Sequence, residues 1–98
     1  LIRPIKKCTS AFHLLVLVFK SLKQSEKLKK IMQKNDIAAT FHYVPLHKSK
    51  MGKKFCNYKL PITENIYNKV VRLPLFPEMT QGQFNKISKI LKKFVNTY

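Results

Sequence analysis

The run Ala11–Phe19, AFHLLVLVF, constrains the fold more than any other stretch of the chain. His13 is its single polar residue, and the remainder mixes leucine with valine and phenylalanine, side chains that suit a pleated strand. It falls well short of the roughly 20 apolar residues that a membrane-spanning helix needs. A continuous apolar run of this length is the mark of a strand covered on both faces. Such a strand requires neighbours in a sheet and helices over it, and the rest of the sequence must provide them.

The residues that follow meet that demand. Ser21 with Gln24 makes a capping-box start, and Leu28, Ile31 and Met32 then recur at helical spacing, which predicts a helix ending near Lys34. Asn35 suits the left-handed position beyond a helix end. From Ile37 to Val44 the chain alternates, with Ile37, Ala39, Phe41 and Tyr43 on one face, and reads as a half-buried strand that Pro45 stops. His47–Lys59 is basic, contains Gly52 and has no clear period, so it reads as a loop. Thr63 is the expected cap of a short helix with Ile66 and Val70 inward. Leu73–Phe76 is a short extended piece held by Pro74 and Pro77. Thr80 and Gln83 form a second capping box, and Phe84, Ile87, Leu91, Phe94 and Val95 line one face of a last helix. Leu1–Thr9, with Pro4, reads as irregular. The predicted class is α/β (α+β): a small sheet of about three strands backed by helices.

Ninety-eight residues make one compact domain. A chain of this size buries only about 60–65% of the surface its unfolded form exposes, which leaves it marginal alone. Cys8 and Cys56 are too few for a disulfide framework, and the Arg3, Lys6, Lys7 start is followed by no small-residue cleavage site. Free thiols in the cytoplasm are the expectation, with no membrane partner. The charge is extreme, 20 basic residues against 4 acidic, or +16. A field of that sign attracts polyanions. However, only Arg3 and Arg72 are arginines, and lysine is a point charge without the planar fork used to read bases and phosphates. The lysines are scattered along the sequence, so nucleic acid is not the expected partner, although a free-standing basic module for nucleic acid or anionic surfaces is the rival reading.

His42-Tyr43-Val44-Pro45-Leu46-His47 is the densest polar cluster, two imidazoles and a phenol at a strand end, where binding groups are often presented. Histidine can hydrogen-bond a substrate hydroxyl or move a proton. On residue types alone the favoured reading is a strand-end histidine paired with backbone beside a solvent-facing one, since no carboxylate lies near in sequence to orient either ring. His42, His47, Cys56 and Cys8 match no compact metal spacing, so no metal is expected. Phe55 and Tyr58, among Lys53, Lys54 and Lys59, could stack on a base or pin the loop. No glycine-rich phosphate cradle and no paired carboxylates are present.

The stretch FHYVPLHKSKMGKKF, Phe41–Phe55, resembles the C-terminal domain of the DegT/DnrJ/EryC1/StrS aminotransferases, in which an F-H-Y-x-P-L-H segment precedes G-x-x-F, here Gly52 and Phe55. The resemblance continues through Leu60–Thr80, with Arg72-Leu73-Pro74-Leu75-Phe76 matching the family's R-L-P-L-F, and His13 fits an upstream histidine. It is nearest to the branch that aminates a dTDP-linked 4-keto-6-deoxy-hexose. The resemblance implies the small domain of a fold-type-I transferase that uses pyridoxal 5'-phosphate and glutamate as amino donor. It also implies that the cofactor's lysine, carboxylate and phosphate ligands belong to a large N-terminal domain outside this sequence. On that basis no residue here is catalytic or cofactor-binding, and residues 1–98 alone are expected to be inactive. His42, Tyr43 and His47 are expected on the substrate side, and Lys48, Lys53 and Lys54 near the diphosphate. The expected partners are the large domain, a second subunit and the nucleotide-sugar.

Overall fold

The structure is a computed structural model that describes residues 6–11, 13–41, 43–55 and 58–97. Strand β1 (Leu15–Val18) is followed by helix α1 (Leu22–Gln33), a 3-10 turn (Leu46–Lys48), helices α2 (Gly52–Phe55) and α3 (Pro61–Tyr67), strand β2 (Val70–Leu73) and helix α4 (Gln81–Val95). The strands pair antiparallel, Leu15 opposite Leu73 and Leu17 opposite Val71.

Directly opposed residues share a face of the sheet. Leu15, Leu17, Val71 and Leu73 therefore form one face, and α1 and α4 lie over it. Leu28 and Met32 from α1, Ile87 and Phe94 from α4, Val71, Leu73 and Ile37 make the core. The Phe94 ring meets Phe19 edge to face, with centroids 5.9 Å apart and planes at 87°. Such a pair adds about 0.5–1.5 kcal/mol beyond burial. Ser25, the one fully buried polar side chain among the described residues, donates its hydroxyl to Leu22 O at 2.8 Å and Asn68 O at 2.7 Å. That tie fastens α1 to the turn before β2 and leaves no buried hydroxyl unpaired.

The expected α/β architecture is present, but the sheet has two strands rather than about three, the extended piece expected at Leu73–Phe76 is displaced to β2 at Val70–Leu73, and other elements differ locally. The continuous apolar run does not become a strand covered on both faces: β1 is four residues long, and Val18 on the second face is exposed. The segment after α1 reaches the sheet only at Thr40, which forms an isolated bridge to Arg72 through Thr40 N to Arg72 O (3.1 Å) and Arg72 N to Thr40 O (2.7 Å). Ile37 and Ala39 turn inward as expected, but Phe41 and Tyr43 are exposed. Tyr43 adopts a left-handed backbone (φ 65°), which turns the chain out of the extended path and ends the alternation. Finally, α3 starts earlier than Thr63 suggests. Pro61 occupies its first turn, where a missing N–H costs nothing. Ile66 is then half exposed, and Val70 belongs to β2.

The helix ends follow their local chemistry. Ser21 Oγ accepts from Gln24 N, and Thr80 and Gln83 complete both halves of a capping box. The exit from α1 is a Schellman arrangement: Ile37 N bonds Met32 O at 3.0 Å, Asp36 N bonds Gln33 O at 3.1 Å, and Ile37 and Met32 meet in the core. The left-handed residue is Asp36 (φ 58°), one beyond Asn35, whose side-chain amide instead donates to Ile31 O. On α4, Ile87 and Phe94 are buried and Leu91 partly so, whereas Phe84 and Val95, expected inward, are exposed.

Candidate functional site

Between Thr40 and β2 the chain makes an excursion that carries most of the residues singled out in the sequence. The stretch His47–Lys59, expected as a loop, contains a 3-10 turn and α2 folded against each other. Ser49 is the hinge pin: its hydroxyl donates to Leu46 O at 2.8 Å and accepts from Gly52 N at 2.8 Å. Gly52 is required by the closeness of that approach. A Cβ there would lie 1.7 Å from the Leu46 carbonyl oxygen, a backbone atom that cannot swing aside.

The turn presents His47 and Lys48 to one carboxylate. Glu64 on α3 lies 3.2 Å from His47 Nε2 through one oxygen and 2.7 Å from Lys48 Nζ through the other. The Leu60 amide also donates to Glu64 at 3.2 Å. The Lys48 ammonium additionally sits 5.5 Å from the centre of the Tyr67 ring. The His47 side chain is only 7% exposed, so its ring is held in place rather than displayed. The donors around Glu64, chiefly Lys48, then the Leu60 amide and His47, hold its carboxyl down at about 2, and the bond to Glu64 raises Lys48 above the usual lysine value.

The other anticipated residues are distributed differently. Tyr43 is exposed at the left-handed turn, and Lys53 and Lys54 are exposed on α2. His42 and Cys56 lie outside the described residues. Cys8 is an exposed free thiol. Phe55 and Tyr58 are exposed, so neither pins the excursion to the rest of the domain. Glu64 is the residue that sequence reasoning missed. It lies 17 positions from His47, and its one sequence signal is that it is among only 4 acidic residues facing 20 basic ones.

A second recess of about 420 Å³ lies where the Thr40–Arg72 bridge joins the excursion to β2. His13, Thr40, Arg72, Pro74 and Phe76 are among its walls. Thus Thr40, the residue that leads into Phe41–Phe55, the Arg72–Phe76 segment and His13 converge on one edge of the sheet, although they are separate in sequence.

Lys48 does not suit the role of an imine-forming lysine. That chemistry needs a depressed lysine pKa, obtained by burial or a neighbouring cation. Lys48, the lysine most closely engaged with a carboxylate here, is shifted the other way. Among the described residues no three of His, Cys, Asp and Glu gather as a metal site, and no helix is long and apolar enough to cross a membrane.

The chain is similar in sequence to several known proteins. At 25% identity over 97 residues the chain is similar to an uncharacterised protein of Methanocaldococcus jannaschii, with 96% of this chain and 25% of the relative covered. It is 26% identical over 84 residues to the dTDP-3-amino-3,6-dideoxy-alpha-D-galactopyranose transaminase of Aneurinibacillus thermoaerophilus, covering 85% of this chain and 22% of that enzyme. It is 26% identical over 73 residues to the UDP-N-acetyl-3-dehydro-alpha-D-glucosamine 3-aminotransferase of Acidithiobacillus ferrooxidans, covering 74% and 20%. The chain therefore spans between a fifth and a quarter of the length of these relatives. The family-wide pattern of the DegT/DnrJ/EryC1/StrS aminotransferases matches residues 2–92, and the chain belongs to that family.

Proposed function

We propose that the chain forms the small-domain wall of a nucleotide-sugar cleft in an aminotransferase that moves an amino group from glutamate to a dTDP-linked 4-keto-6-deoxy-hexose. The observation that carries this reading is the Thr40–Arg72 bridge, which brings the residue leading into Phe41–Phe55 onto the Arg72–Phe76 segment, in a chain of this family. The family is generally dependent on pyridoxal phosphate. Its cofactor supplies the electron sink, while the protein supplies position. Lys48 does not fit the cofactor's imine-forming lysine, and on this reading the cofactor's ligands belong to polypeptide beyond residues 1–98 and this chain alone is inactive.

On this reading His42, Tyr43 and His47 face the sugar. The contact with Glu64 fixes the orientation of the His47 ring, and a fixed orientation is what hydrogen bonding to a substrate hydroxyl requires. Lys53 and Lys54 supply exposed positive charge for the diphosphate, and Lys48, paired with Glu64, adds to it. The whole enzyme works as a homodimer in the cytoplasm. Both relatives with named activities carry the 3-amino position in their names, so the carbon that receives nitrogen is the finest point of the assignment.

The test begins with the coding sequence upstream of Leu1. An open frame containing a Ser-x-x-x-x-Lys cofactor element is expected, and the protein from that frame should convert dTDP-4-keto-6-deoxyglucose and glutamate to a dTDP-amino-sugar. Product NMR assigns the nitrogen to C4 or C3. His47→Ala should lower kcat/KM by at least about ten-fold, equivalent to about 1.4 kcal/mol. A full-length protein that aminates no keto-sugar nucleotide would overturn the proposal, and a C3 product would move it to the other position.

A further inference from the structure

The fold gathers lysines that the sequence scatters. Between α1 and α4, on the side away from the sheet, runs a groove of about 550 Å³. One wall is Lys27, Ile31 and Asn35, a stripe at four-residue spacing on α1. The other includes Lys86, Lys89, Ile90 and Lys93 on α4, with the Phe94 ring partly forming the floor. At 1.5 Å per residue these stripes run for about 12 Å, a little over two helical turns. No lining residue is acidic. The groove thus combines an apolar floor with ammonium groups along both rims.

Helix α4 is built against its own interest at this rim. It carries Lys86, Lys89, Lys92 and Lys93 and no acidic residue. Like charges three or four positions apart cost a helix about 0.2–0.5 kcal/mol per pair. Lys92 and Lys93 lie in the last turn, where the helix dipole favours cations. Lys86 and Lys89 lie earlier and gain nothing from it, which leaves their charge to an external complement.

We propose that this groove receives an acidic amphipathic helix from a partner protein. An apolar stripe at i, i+3, i+4, i+7 would lie on Ile31, Ile90 and Phe94, and carboxylates flanking that stripe would meet Lys27 on one side and Lys86, Lys89 and Lys93 on the other. Other occupants match the groove less well. A second copy of this chain has only 4 acidic residues among its 98 and cannot supply the complement. Nucleic acid would leave the apolar floor unused, and a bilayer surface is too flat to enter a cleft between two helices. The groove is formed by the outer surfaces of α1 and α4, so the proposal stands apart from the sugar-binding reading of the excursion.

The experiment uses the full 98-residue chain and a fluorescein-labelled synthetic helix of about four turns, with leucine at i, i+3, i+4, i+7 spacing and glutamate on both flanks. Its comparison peptide has the same composition in scrambled order. The ordered peptide should bind at least about ten-fold more tightly than the scrambled one and should shift amide resonances in residues 27–35 and 86–97. Lys86→Glu with Lys89→Glu should abolish that preference, while Lys53→Glu with Lys54→Glu, the same change in charge on α2, should leave it. Equal binding of the two peptides, equal loss in the two double variants, or tighter binding to random duplex DNA or phosphatidylglycerol vesicles than to the ordered peptide would each overturn the proposal. Circular dichroism of each variant confirms that its helices are intact.

Discussion

The two halves of this molecule use apolar residues in opposite ways. In the body formed by β1, α1, β2 and α4, Leu28, Met32, Val71 and Leu73 are all but sealed. In the excursion from Phe41 to Tyr67, Leu46, Phe55, Tyr58 and Ile62 are between 74% and 84% exposed. The body is held by burial. The excursion is held by directional contacts: the Ser49 hydroxyl bridging the turn to α2, the close approach at Gly52, and the Glu64 carboxylate reaching His47, Lys48 and Leu60. Contacts of this kind fix geometry without requiring a core of their own. They suit a segment whose apolar side chains are covered by something outside this chain, which is how the wall of a cleft is expected to look.

The difference can be broken most directly at Leu28. Leu28→Ala should cost about 2–5 kcal/mol, a large part of the roughly 5–15 kcal/mol available to a domain of this size, and should be seen as a sharp drop in the urea midpoint. Ile62→Ala, deep in the excursion's sequence but exposed, should change that midpoint little. A similar loss for both would show that the excursion buries apolar surface in solution and would erase the distinction. Gly52→Ala comes next. The added methyl collides with Leu46 O, so the 3-10 turn and α2 should separate at a local cost of about 1–3 kcal/mol. Amide shifts across 46–55 should move while those of Leu28, Met32 and Val71 stay fixed. Movement of both sets would mean that the halves are coupled. Thr80→Ala removes the hydroxyl that caps α4 and should lower stability by about 1 kcal/mol, an effect confined to the body.

The body was largely readable in the sequence because its determinants are local. Ser21 with Gln24 and Thr80 with Gln83 sit three residues apart, and the stripes of α1 and α4 recur within a few turns. Where local signals compete, the reading slips. Asn35 and Asp36 both tolerate a left-handed backbone, and the bond from Ile37 N to Met32 O selects Asp36. The strand expected over Ile37–Val44 shrinks to a bridge at Thr40, because the left-handed turn at Tyr43 has no glycine or asparagine to announce it. In the excursion the organising pairs are too distant or too small to show a period. Glu64 is far along the chain from the residues it holds, and α2, with four residues, is too short to repeat. The likeness of Phe41–Phe55 to a family segment therefore indicated that the region mattered, but not how it is held.

The smallest expected effect isolates the charge that steadies the excursion. The Glu64 carboxyl is lowered from 4.5 to about 2, first by the Lys48 ammonium and then by the Leu60 amide and His47. A carboxylate held below its unfolded value contributes stability that is complete above about pH 4.5 and is lost as pH falls through about 2. Lys48, raised above 10.5, contributes stability that is complete below that value and is lost as pH rises past its folded pKa. Glu64→Gln keeps an oxygen that can accept from Leu60 but removes the charge. The gap in melting temperature between the native chain and Glu64→Gln should be constant from neutral pH down to about 4.5, then close as pH approaches 2. Because the pair is partly exposed, added salt should narrow the gap at neutral pH. A gap that stayed open at pH 2 would mean that Glu64 acts through shape and hydrogen bonding alone, and the steadying of His47 would then owe nothing to the lysine beside it.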